Sequence, residues 1–262
     1  VEGTDANGNT ALHQAAAGDS LTEIGALLLD KGAELEARNA QGFTPLHLAG
    51  QEGQVAMATL LLDRGAEVNA RGGEYSFTPL HLTGSQGHPA VATVLLDRGA
   101  EVDARQAEGG TPLHLAGQFG YPAMVTLLLE RGAEVDAKST DRPPGATPLW
   151  AAAAFGKLEC ARALLRAGAN ASISVTGFGT AHQIAGRQGH TELAALLREH
   201  MDPKEKAAED LFFIGAAFNG VLEHIEGYLK AGGDVNTQCS KLRHRTALIT
   251  ATMQGQLAAA QL

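Results

Sequence analysis

The chain has 262 residues, 44% of them hydrophobic, and a formal net charge of −9 from 29 acidic and 20 basic side chains. This is enough apolar material for a large core, while an acidic balance without any basic run argues against a nucleic-acid partner, which needs clustered cations. No apolar run approaches the ~20 residues of a membrane span, and two isolated cysteines form no disulfide framework and suit a reducing, cytoplasmic setting.

The first element is announced by Thr10-Ala11-Leu12-His13. It returns as Thr44-Pro45-Leu46-His47, Thr78-Pro79-Leu80-His81, Thr111-Pro112-Leu113-His114 and, altered, Thr147-Pro148-Leu149-Trp150. The threonines stand 34, 34, 33 and 36 residues apart. Residues 38–70 serve as the unit. Thr44 is an N-cap and Pro45 suits the first helical position, where no backbone donor is needed. A short helix is expected over Pro45–Glu52, ended by Gly53. A second follows over Gln54–Asp63, with Val55, Met57, Leu60, Leu61 and Leu62 at helical spacing, and Gly65 stops it. Residues 66–77, rich in Gly and β-branched or polar types, read as a hairpin finger.

A Thr-Pro-Leu-His core repeating at this stride resembles the ankyrin-repeat family over nearly the whole chain. The resemblance implies an all-α solenoid of stacked helix pairs with β-hairpin fingers, in which each pair buries its apolar face against its neighbours. It also implies that the motif histidines bond backbone within and between repeats. Successive repeats stand about 10 Å apart, whereas zinc ligands sit about 2 Å from the metal, so no metal site is expected from them.

Units begin near residues 7, 40, 73, 106 and 142. The fifth is preceded by a lengthened finger in which Pro143-Pro144-Gly145 turns the loop; a binding-face insertion and a neutral one are both open. Cys160 falls where related units carry an aliphatic core residue, and Cys239 falls in a finger. The sixth unit, Thr180–Glu199, departs from the pattern by placing His182 at the leucine position. Asp202-Pro203 then reads as a helix start. Residues 1–201 are therefore expected to form one array of about six repeats, and 202–262 the start of a second, truncated array or a continuation of the first. Val1 is not methionine and Leu262 interrupts an apparent helix, so a piece of a longer protein is expected.

No nucleotide loop, zinc-protease motif, nucleophile elbow or kinase set is present. Gly177-Phe178-Gly179 is a turn, and Glu67, Glu101 and Glu134 are repeated finger residues rather than an acid/base pair. The chain is expected to have no enzymatic activity and no cofactor.

The resemblance implies that a partner protein lies along finger tips and the exposed side of the first helices. At the two positions before the turn glycine stand Gln51 and Glu52, Ser85 and Gln86, Gln118 and Phe119, Ala154 and Phe155, Arg187 and Gln188, Phe218 and Asn219. Phe119 and Phe155 occupy equivalent places in adjacent repeats, and Trp150, the single tryptophan, replaces the motif histidine nearby; this grouping is the expected anchor, with burial of Trp150 as the competing reading. Arg38, Arg71, Arg105 and Lys138 form a basic ladder along the fingers beside an acidic ladder of Glu34, Glu67, Glu101 and Glu134. Phe43, Tyr75 and Phe77 flank it, which suits an acidic, aromatic peptide. Gly50, Gly84, Gly117 and Gly186 cost helix propensity, for which close helix approach or groove flexibility would account. Asn69 and Asn236 resemble residues hydroxylated in some members of the family. The leading expectation is a monomeric interaction scaffold; a regulatory region of a larger enzyme or channel, or a bacterial effector capturing host protein, are the alternatives.

Overall fold

The computed structural model describes residues 3–140 and 143–207, and the backbone of 238–239 and 245–246. The chain divides into two compact units, Val1–Pro148 and Leu149–Leu262. In the first, helices come in pairs: α1 (Ala11–Ala17) with α2 (Thr22–Asp30), α3 (Pro45–Gln51) with α4 (Val55–Asp63), α5 (Pro79–Gln86) with α6 (Pro89–Asp97), and α7 (Pro112–Phe119) with α8 (Pro122–Glu130). The first helices of the pairs stack in the order α1, α3, α5, α7, and the second helices in the order α2, α4, α6, α8.

The Thr-Pro-Leu-His segment explains each start. The threonine is extended, proline opens the helix, and threonine and histidine cap each other's backbone N–H. The motif leucines Leu12, Leu46, Leu80 and Leu113 point into the stack and are buried, as are Met57 and Leu61, Val91 and Leu95, and Met124 and Leu128 from the second helices. Each such leucine contributes about 2 kcal/mol of apolar transfer. α3 stops one residue before the expected Glu52, which is its C-cap, and Gly53 turns the chain with φ +74°.

Gly50 and Gly84 settle the question left open for them. A Cβ on Gly50 would lie 2.7 Å from Thr83 Oγ1 and 3.0 Å from Pro79 O, and one on Gly84 would lie 3.0 Å from Pro112 O. The glycines let consecutive first helices touch through backbone.

The fingers carry less ladder than expected. Among the described residues of this unit the cross-finger bridges are single ones, Thr4 with Thr10 and Gly72 with Phe77. In the finger at 38–44, side chains close the turn: Asn39 Oδ1 accepts from Gln41 N and Phe43 N, and Arg38 Nη1 donates to Gly42 O. The lengthened loop before Thr147 is pinned by Ser139 Oγ donating to Pro143 O at 2.8 Å.

α9 (Pro148–Ala154) spans the division. The second unit continues with α10 (Leu158–Arg166), the two-residue strands β1 (Ser174–Val175) and β2 (Gly179–Thr180), and the packed pair α11 (Ala181–Arg187) and α12 (Thr191–Glu199). Cys160 is buried as a core residue. His182 fills the leucine position, buried, its Nδ1 3.2 Å from Ala194 O. The helix start at Asp202 is present: Asp202 Oδ1 accepts from Lys204 N at 2.8 Å and residues 203–207 are helical. Beyond them, Gln238–Cys239 (β3) and Arg245–Thr246 (β4) pair antiparallel. The expected second array, with Phe218 and Asn236, lies outside the described residues.

Candidate functional site

The motif histidine position sets the geometry of the fingers. Nδ1 of His13, His47, His81 and His114 lies 3.1–3.2 Å from the backbone N of the capping threonine and 2.8–2.9 Å from its Oγ. Nδ1 therefore accepts and Nε2 carries the proton. Nε2 donates to a carbonyl of the next finger: Phe43 O, Phe77 O, Gly110 O and Ala146 O, at 2.9, 3.0, 3.2 and 3.0 Å. Burial pushes His47, His81 and His114 down to about 4, their backbone partners opposing and the nearby arginine assisting. They are neutral structural links. Among the described residues no group of His, Cys, Asp and Glu is arranged to hold a metal ion.

Trp150 corrects the expected aromatic anchor. Instead of lying exposed it is 8% accessible, and its Nε1–H donates to Gly179 O at 3.2 Å. The indole thus reproduces the reach of a histidine Nε2–H, and the position buries whatever fills it. The exposed ring beside it is Phe178, edge-on at 5.9 Å, which the reading of Gly177-Phe178-Gly179 as a bare turn overlooked. In the sixth repeat Gln183 takes the same place, its Oε1 accepting from Thr180 N at 3.1 Å.

Phe119 and Phe155 are exposed, at 48% and 53%, the first at the end of α7 and the second just beyond α9. Gln118 beside Phe119 is half-buried. On the fingers, Tyr75 is exposed and its ring stands 5.8 Å from the half-buried Phe77, which stands 5.9 Å from His81; Phe43 lies 5.3 Å from His47.

The basic ladder is bonded lengthwise. Arg38 Nη1 donates to Arg71 O at 2.6 Å, Arg71 Nη1 to Arg105 O at 2.7 Å, and Arg105 Nη1 to Lys138 O at 2.7 Å. Each arginine remains exposed, as does Lys138. Its pairing with the acidic ladder is slight: Arg105 approaches Glu134 at 3.9 Å. Another ladder, not foreseen, joins the second helices. Arg64 meets Asp30 at 2.9 Å, Arg98 meets Asp63 at 2.8 Å and Arg131 meets Asp97 at 2.9 Å. Its signal was the Asp-Arg-Gly that closes successive second helices. Asn69 is engaged at both ends of its amide, donating to Gly99 O and accepting from Glu101 N. Glu36 and Asp103 hold the equivalent place and accept from Glu67 N and Glu134 N.

A search of curated proteins returns no match. A family model of ankyrin repeats in three copies matches residues 1–72 and again 73–139, and a single ankyrin-repeat model matches residues 144–176. With its capped helix pairs, histidine-linked fingers and repeated family matches, the chain belongs to the ankyrin-repeat family.

Proposed function

We propose that this chain is a non-catalytic binding platform that holds a segment of another protein along its finger tips and the exposed ends of its first helices. Ankyrin repeats are generally protein-interaction modules. The observation that carries the finer reading is the carbonyl-anchored arginine row. Arg38, Arg71 and Arg105 are each fixed by the next repeat yet exposed. A cation whose rotamer is already set loses little freedom when it meets a carboxylate, so less of the contact energy is lost to ordering.

Phe43, Tyr75 and Phe77 lie on the same fingers and supply apolar contact, and Phe119 offers a further exposed ring in the same unit. A segment bearing carboxylates and aromatic side chains matches that strip. Phe155 in the second unit is the equivalent contact there. A reducing, cytoplasmic setting is part of this reading.

Affinity capture from a lysate tests it, with the parent chain beside a Phe119→Ala, Phe155→Ser variant of equal helical circular dichroism. A partner kept by the parent and lost by the variant is expected, and its bound segment is expected to be acidic. Equal retention by both would place binding elsewhere on the molecule.

A further inference from the structure

The arginine row on the fingers carries more than a line of positive charge. Arg38 Nη1 donates to Gly42 O at 2.9 Å in its own finger and to Arg71 O at 2.6 Å in the next. Arg105 Nη1 does the same with Gly109 O at 3.1 Å and Lys138 O at 2.7 Å, and Arg71 Nη1 donates to Arg105 O at 2.7 Å. A guanidinium presents five N–H donors in one plane. With Nη1 given to carbonyls, each arginine keeps the edge formed by Nε–H and Nη2–H, which is a fork that takes both oxygens of a carboxylate. Among the described residues Arg38 and Arg71 meet no carboxylate, and Glu134 stays 3.9 Å from Arg105 Nη2, too far for a hydrogen bond.

The stack sets the distance between forks. Helices α3, α5 and α7 pack in order, and packed helix axes stand about 8–10 Å apart, so the forks recur at about that step. A ligand must repeat its carboxylates at the same step. A β-strand shows one face at every second residue, after about 6.6 Å, which falls short. An α-helix comes close at every seventh residue, after about 10.5 Å, but about fifteen residues must then be ordered to reach three forks. Polyproline II has three residues per turn and a rise of about 3.1 Å, so one face returns at every third residue after about 9.3 Å. Seven residues or so then suffice, at a smaller ordering cost.

Tyr75 favours the same conformer. It lies on the finger of Arg71, is 38% exposed, and its backbone O accepts from Ala107 N at 2.7 Å, which ties that finger to the next. An exposed aromatic ring on a fixed finger is the kind of surface on which proline-rich, polyproline-II segments dock.

We infer that the row of Arg38, Arg71 and Arg105 takes a polyproline-II segment of a partner protein, with a carboxylate at every third residue and proline between. Each carboxylate sits in one fork, and the prolines pass over Tyr75. This rests on the platform reading above and fixes the conformation and spacing of its occupant.

Fluorescence anisotropy of labelled synthetic peptides with the full chain tests the spacing. The probe is Glu-Pro-Pro repeated three times. It is compared with an isomer of equal composition whose glutamates stand at every second position, and with an alanine-rich helical peptide bearing three glutamates at every seventh. The first is expected to bind at least about tenfold tighter than either. Arg71→Lys keeps the charge and loses the fork, and with circular dichroism unchanged it is expected to cut that preference to about threefold or less. Equal binding of the two isomers, tighter binding of the helical peptide, or a preference that Arg71→Lys leaves intact would each overturn the inference. No binding of any peptide up to about 1 mM would do the same. Lysate capture reads the platform separately. A partner kept by the parent and lost by the Phe119→Ala, Phe155→Ser variant, with no preference among the peptides, removes the spacing and leaves the platform. Equal capture by both, beside the expected peptide preference, keeps the spacing and removes the part given to the two phenylalanines.

Discussion

Protonation of the motif histidines should unfold the first unit in mild acid. In the folded chain His47, His81 and His114 lie at about 4, because burial penalises the imidazolium. The geometry agrees: Nδ1 already accepts from the threonine, so a proton there would displace that bond. In the unfolded chain a histidine titrates near about 6.5. Above that value all three are neutral in both states and their links contribute in full. As pH falls through it, the unfolded state takes up protons that the folded state refuses, so stability drops until about pH 4, where both states are charged. For one histidine the linkage integral from about pH 7 to about pH 5 amounts to about 2 kcal/mol, hence about 6 kcal/mol for three. That is a large share of a typical domain's 5–15 kcal/mol or so.

The chain supplies its own control. Gln183 occupies the histidine position in the sixth repeat, accepts from the capping threonine and does not titrate. A His47→Gln, His81→Gln, His114→Gln variant should therefore keep the caps, start from somewhat lower stability at neutral pH and lose most of the acid dependence. Urea unfolding followed by circular dichroism at several pH values between about 5 and 7, above the carboxylate range, gives both slopes. If the parent and the triple variant weaken in parallel, the buried histidines are not the origin and the argument fails.

Two further outcomes follow from packing. Gly50→Ala gains about 1 kcal/mol of helix propensity, yet its Cβ would meet Thr83 Oγ1 at 2.7 Å, an atom held by its own bond to Pro79 O; a net loss of about 1–2 kcal/mol is expected in urea unfolding, partly restored by adding Thr83→Ala. Trp150→Phe keeps a ring but removes the donor to Gly179 O; a loss of about 1–3 kcal/mol is expected, from the unsatisfied carbonyl and the smaller ring, and a variant as stable as the parent would show the indole bond to be idle.

What the sequence made legible were features written in residue type. Proline marks the first residue of α3, α5, α7 and α9, and glycine turns the chain after α2, α4, α6, α8 and α10. The core place of Cys160 was readable for the same reason, since it depends on a side chain at a fixed offset, and the histidine links followed from the family resemblance; the close approach at Gly50 was one of two open readings until its neighbours Thr83 and Pro79 were placed. Features whose other half is backbone were not legible. Nothing in the letters says that Arg38 donates to the carbonyl of Arg71, because every residue has that carbonyl. The Arg64–Asp30 series was readable in principle, but only by comparing residues 34 apart instead of neighbours in one repeat.

Trp150 shows why the remaining misreading occurred. A lone tryptophan in a chain with few aromatics suggests an exposed anchor, but the place it fills is defined by what it must reach. Histidine, tryptophan and glutamine occupy that place in successive repeats. The histidine and the indole present an N–H to a carbonyl of the following finger, and the histidine and the glutamine receive the threonine N–H. The position thus serves two reaches, one to the following finger and one to the cap; tryptophan makes the first and, among the described residues, glutamine makes the second. A rare residue type at such a position is explained by what it must reach, and exposure at a finger tip is the better guide to where a partner touches.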